Sequence, residues 1–101
     1  MKAIRFDQTG GPDVLHLVEA DTPQPGAHEI RVRNAASGVN FIDTYHRTGL
    51  YKMPLPSGLG QEGAGVVDAI GADVARFKVG DRVAYCSGPI GAYSEMHVVR
   101  D

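Results

Sequence analysis

The run Gly58-Leu59-Gly60-Gln61-Glu62-Gly63-Ala64-Gly65-Val66-Val67-Asp68-Ala69-Ile70-Gly71, followed by Lys78-Val79-Gly80-Asp81-Arg82-Val83, limits what this chain can fold into more than any other stretch. Gly58-x-Gly60-x-x-Gly63 has the spacing of a dinucleotide-binding fingerprint. That fingerprint works only where a strand delivers the glycines to a helix N-terminus, whose free amides and dipole hold a pyrophosphate. The wrong elements flank it here. Met53-Pro54-Leu55-Pro56-Ser57 is a proline-broken loop, because proline lacks an amide donor and restricts the residue before it. Gly63 to Ile70 mixes small and β-branched residues and reads as a strand. The glycines are therefore expected to allow bends and close backbone approach in a curved sheet, not to hold phosphate.

The rest of the chain agrees with a β fold. Lys2 to Phe6 alternates polar and apolar residues, Thr9-Gly10-Gly11-Pro12 signals a turn, and Val14 to Glu19 reads as a second strand paired with the first. Asp21 to Gly26 is a loop whose two prolines discourage pairing. Glu29 to Ala35 alternates most cleanly of all. Gly38-Val39-Asn40 then breaks the pattern. Asn40 can cap a helix, Phe41, Tyr45 and Thr48 recur at helical spacing, and Gly49 is a left-handed stop, so a short helix is expected over Asn40–Arg47. Leu50 to Ser57 is an exposed loop. Strands at Ala64–Ile70, Arg82–Cys86 and Ala92–Val99 complete the set, with Gly71 and Gly80-Asp81 as turns. Short strands, glycine turns and one helix point to a mainly β, partly open barrel in one domain over residues 1–101. A doubly wound cofactor fold would need βαβ units of about thirty residues each, and none is present.

Bulk properties exclude several function classes. With a formal charge of −2 and no basic stripe, nucleic acid and membrane surfaces are poor partners. No long apolar span and no signal-peptide pattern is present. Cys86 is the only cysteine, which rules out an internal disulfide and fits a reducing cytoplasm.

Taken together and in order, Gly60-Gln61-Glu62-Gly63 to Gly71 and Gly80-Asp81-Arg82-Val83 resemble the GroES-like catalytic domain of medium-chain dehydrogenases/reductases. Asn40-Phe41-Ile42-Asp43-Thr44-Tyr45 with Arg47-Thr48-Gly49-Leu50-Tyr51 narrows the resemblance to the zinc-free quinone oxidoreductase (zeta-crystallin-like) branch. It spans nearly the whole chain. It implies a GroES-like, partly open β-barrel with one short helix and no Rossmann domain. It also implies NADPH as cofactor, a small quinone as substrate, and a homodimeric parent.

Zinc members of that superfamily carry a cysteine where this chain has Asn40 and a histidine where it has Gln61. Zinc prefers thiolate and imidazole, so these neutral amides are poor ligands. His16, His28, His46 and His97 show no short metal-binding spacing, and no metal site is expected. Without a Lewis acid the acceptor must take hydride unaided. A quinone does, because its product is aromatic and its oxygens need only hydrogen-bond donors. Asn40, Tyr45, Tyr51 and Gln61 supply amide and phenol donors with aromatic rings to pack a flat ligand. By resemblance, Asn40 and Tyr45 face the nicotinamide, and Tyr51 lines the same cleft.

Structural roles compete for the same residues. Asn40 serves as a helix cap in either case, Tyr45 could be a core tyrosine, and Gln61 could satisfy backbone groups under the glycine bend. Glu62 is expected in a structural hydrogen-bond network and Asp81 in a turn. Asp43 is assigned to the helix surface or to anchoring a loop, His46 to an exposed helix position, and Cys86 to an inert small apolar site. The family's enzymes continue into a Rossmann domain, so the chain is expected to be the N-terminal part of a longer two-domain enzyme and inactive alone. Two alternatives remain open: a zinc-free reductase of activated alkenes, and a GroES-like binding module.

Overall fold

The alternating segment becomes β3 (Glu29–Ser37), the strand on which the larger sheet is built in a computed structural model describing residues 1–101. β3 pairs antiparallel with β5 (Glu62–Ile70) on one side and β7 (Met96–Arg100) on the other, and β6 (Arg82–Cys86) flanks β5. Period-two alternation turns Ile30 and Val32 inward, where they meet Val67 and Val99. Val74, Phe77, Val83 and Tyr85 pack around this cluster. Two register shifts in the β3–β5 ladder, at Arg31/Val32 and Asn34/Ala36, bend the sheet. As a result, the rings of Tyr85 and His97 approach to 5.4 Å although they stand on opposite edge strands. The sheet curls like a barrel wall without closing.

A smaller sheet has the order β2 (His16–Glu19), β1 (Lys2–Phe6), β4 (Ser57–Gly58). The expected pairing of the first two strands is present, but Val14 and Leu15 do not belong to β2. Pro12 supplies the backbone angle for a single 3-10 turn, Pro12–Val14, and Val14 is buried against Phe6 and Leu59 in a second cluster. A second correction concerns Ser57, placed in the loop above. Past the last proline its amide is free to pair, and it lies opposite Phe6 on β1. The Leu55–Pro56 bond is cis.

Residues 92–95 also depart from the expected last strand. The amides of Ala92 and Tyr93 donate to the carbonyls of Gly60 (3.2 Å) and Leu59 (2.9 Å), and Glu95 donates to Lys2 (3.0 Å). With their backbone committed to the glycine bend and to β1, they join the two sheets instead of extending β7. The helix α1 (Phe41–Thr48) starts after extended Asn40 and stops at Gly49, whose φ of +88° is the left-handed conformation expected there. The architecture is thus mainly β, open, with one short helix, as the sequence implied.

Candidate functional site

Two segments define the site. The end of β3 faces the start of β5: Ser37 lies opposite Gly63, and the Gly38 amide donates to the Glu62 carbonyl at 3.2 Å. This brings Asn40, two residues beyond Gly38, and Gln61, one before Glu62, to the same end of the ladder. Gly60 enables the bend before Gln61. Its φ is +98°, and a side chain there would strike the Tyr93 ring at 2.5 Å.

The helix is turned against its own apolar pattern. Asp43 (2% exposed) and His46 (7%) are its buried residues, whereas Phe41 is 84% exposed. Tyr45 and Tyr51 are also open to solvent and meet edge-to-face, with centroids 5.4 Å apart. The Tyr51 amide donates to the Tyr45 carbonyl at 3.2 Å, so the turn beyond Gly49 folds back along the helix. Val39 and Leu50 extend this exposed apolar surface. Of the side-chain hydrogen bonds in the chain, none uses the Tyr45 or Tyr51 hydroxyl or the Gln61 carboxamide; the Gln61 carbonyl accepts from Ser87 (3.1 Å). The bonding capacity of these three groups is free.

Several expectations are corrected here. Tyr45 is not a core residue. Of the two roles expected for Asp43 it takes the second: it is buried, and its carboxylate anchors the loop before β7 by accepting the Tyr93 hydroxyl (2.5 Å) while also accepting the Asn40 amide (3.0 Å). This is the reciprocal half of a capping box, and the Asn40-x-x-Asp43 spacing was the signal for it. His46 is buried, not exposed, with its ring 6.1 Å from that of Tyr51, and its Nδ1 has no hydrogen-bond partner. Glu62 shows no network. Its side chain is exposed over Gly38, and the bond at this residue is made by its carbonyl. Cys86 is exposed as well, because alternation on edge strand β6 turns Arg82, Ala84 and Cys86 outward. Asp81 does hold its turn, accepting the Lys78 amide at 3.0 Å and pairing with the Lys78 ammonium at 2.7 Å.

Beside Gln61 an open hollow of about 510 Å³ is lined by Ser37, Gly38, Glu62, Gly63, Tyr85 and Cys86. Burial pushes the Tyr85 phenol above its usual value, and its hydroxyl donates to Asn34 at 2.9 Å. Tyr93 is shifted up too, by burial first and by the Asp43 carboxylate second, so it stays a protonated donor. No trio of His, Cys, Asp and Glu side chains lies close enough to hold a metal ion, and no helix is long and apolar enough to cross a membrane. An exposed aromatic ledge beside unengaged amide and phenol donors can bind a flat, polar-edged ring.

Known proteins share this fold. Residues 26–101 match the alcohol dehydrogenase GroES-like domain. A quinone oxidoreductase from Pseudomonas aeruginosa is 60% identical over 101 residues, covering 99% of this chain and 31% of that protein. The crystal structure of Escherichia coli quinone oxidoreductase complexed with NADPH superposes with a TM-score of 0.96 at 50% identity, covering 98% of this chain and 31% of the other. A 2-haloacrylate reductase from a Burkholderia species is 46% identical over 91 residues, covering 85% of this chain and 27% of that protein. The chain thus spans about a third of the length of the relatives it matches.

Proposed function

We propose, from the fact that this chain belongs to the alcohol dehydrogenase GroES-like domain family of the medium-chain dehydrogenase/reductase superfamily, that it is the N-terminal catalytic-domain part of a zinc-free, NADPH-dependent quinone oxidoreductase. The observation that carries the reading is the inverted helix. A globular domain normally buries the apolar stripe of a surface helix. Here Asp43 and His46 are buried while Phe41, Tyr45 and Tyr51 form an exposed ledge beside Asn40. Such a surface suits a nicotinamide on one side and a quinone on the other.

NADPH, when bound, supplies the hydride. The residues of this chain bind and orient. Asn40 and Tyr45 hold the nicotinamide edge with carboxamide and phenol donors, and Phe41 packs apolar surface against the bound rings. Tyr51 and Gln61 donate to the quinone oxygen on which charge develops, which is where preorganised donors contribute most. Asn40 and Gln61 are neutral carboxamides and weak ligands for zinc, so the donor set supports a reaction without that metal. The phosphates are held elsewhere, since Gly58 to Gly63 leads into β5 and opens no helix. A second domain supplies them, in a homodimeric parent working in the reducing cytoplasm that a lone exposed thiol tolerates.

The test is NADPH-dependent reduction of a small benzoquinone by the 101-residue chain and by a polypeptide that continues into a nucleotide-binding domain. Activity confined to the longer form supports the proposal. Inactivity of both, with no NADPH binding, removes it. The similarity to 2-haloacrylate reductase favours one second reading, reduction of an activated alkene. A longer form that turns over 2-haloacrylate and leaves benzoquinone untouched would establish it.

A further inference from the structure

We propose that the hydrogen bond from Tyr93 to Asp43 is the tie that sets the separation between the two halves of the site, Asn40 at the start of α1 and Gln61 at the start of β5. The inference rests on the reading above that these two residues face the reacting groups. Tyr93 and Asp43 touch neither substrate nor cofactor in it, so both are positioning residues.

One side chain spans both halves. The Asp43 carboxylate takes the Asn40 amide at 3.0 Å and the Tyr93 hydroxyl at 2.5 Å through the same oxygen. The ring of that tyrosine lies over Gly60, so closely that a side chain there would meet it at 2.5 Å, and packs against the cluster of Phe6, Val14 and Leu59. The backbone beside it holds the same bend. The amides of Gly91 and Ala92 donate to Gly60 (2.9 and 3.2 Å) and the Tyr93 amide to Leu59 (2.9 Å). Residues 91–93 therefore grip the bend leading into Gln61, and the Tyr93 hydroxyl reaches across to the carboxylate that holds Asn40. The second oxygen of Asp43 is buried with no partner, and no cation pairs with this carboxylate. Nothing else in the chain replaces a lost donor.

The experiment uses the full-length reductase carrying this domain, with Tyr93→Phe, which removes one hydroxyl. A hydrogen bond to a charged group sets the scale: kcat for benzoquinone reduction should fall about ten-fold or more. KM for NADPH should stay within about two-fold, because no ligand contact is lost. Asn40→Ala and Gln61→Ala should each cost less in the Tyr93→Phe background than alone, the sign of coupled residues. Amide hydrogen exchange on the same proteins should show Asn40 and the Gly91–Ala92 pair accelerated together. A kcat within about two-fold of the unsubstituted enzyme, additive substitutions, or exchange accelerated at one end only would each overturn the tie. Should Tyr93→Phe not fold, Asp43→Ala, which removes the acceptor where asparagine would keep an oxygen able to take both bonds, is held to the same criteria. Exchange needs no turnover. An unsubstituted enzyme that reduces no quinone would defeat the functional proposal, and the tie would still be judged by exchange.

Discussion

The interior of the curled sheet and the underside of α1 are both buried, yet they are built on opposite chemistry. Beneath the sheet, Ile30, Val32, Val67 and Val99 exclude water with side chains that ask for nothing but contact. Beneath the helix lie a carboxylate and an imidazole, each with one atom left without a hydrogen-bond partner, while the aromatic residues point to solvent. The first region obeys the pattern that makes a chain fold. The second breaks it, and folded chains break such local rules chiefly at functional sites. The difference separates what this domain needs in order to stand from what it needs in order to act.

Substitutions in the two regions should therefore move different observables. Ile30→Ala should have the largest effect, a loss of about 2–5 kcal/mol in denaturant unfolding, as expected for a deeply buried aliphatic side chain. An unchanged midpoint would mean that the sheet interior is not the seat of stability.

The pH dependence comes next in size. Burial lowers the pKa of His97 below the usual histidine value of 6.5, a larger influence than the opposing bond to the Pro89 carbonyl. Between the folded pKa and 6.5 the unfolded chain binds more protons than the folded one. Stability should be full above that range and decline as pH falls through it. The thermal midpoint should fall on acidification below about pH 6.5, and His97→Gln should flatten the decline.

His46→Leu sharpens the contrast from the helix side. Replacing a buried ring whose Nδ1 lacks a partner should leave the thermal midpoint level or raise it by a few degrees, where a comparable change in the sheet interior would lower it. Phe41→Ser should shift stability least, by under about 0.5 kcal/mol, because the ring is already in water. In the longer form it should weaken NADPH or quinone binding. A large loss of stability would restore Phe41 to the core and dissolve the comparison.

Much of the first region was legible in the sequence, and little of the second. The strands beginning at Lys2, Glu29 and Arg82 follow from period-two alternation, and the helix bounds follow from Asn40 and Gly49. These are local signals. The last strand was misplaced because Ala92, Tyr93 and Glu95 spend their amides on Gly60, Leu59 and β1, partners more than thirty residues away that no window reveals. His46 was assigned outward for the same reason, and for Asp43 a helix-surface role stayed open beside the loop-anchoring role it has. Polarity argued for solvent, and the tyrosine that holds Asp43 is fifty positions further along the chain. Asn40-x-x-Asp43 offered the one local clue. The family motif led to Asn40, Tyr45, Tyr51 and Gln61, but it could not reveal that Tyr93 bridges the segments that carry them.

The unclosed curl of the larger sheet also bears on how the domain behaves in solution. An open sheet has margins, and here β6 and β7 each carry a row of amides and carbonyls with no strand beyond. Such margins are templates for another strand, and natural proteins shield them with charge or cover. A formal charge of −2 gives little mutual repulsion between copies. Arg82 on β6 and Arg100 on β7 are the exposed charges at those margins, so self-association of the isolated domain is expected to respond to salt and concentration.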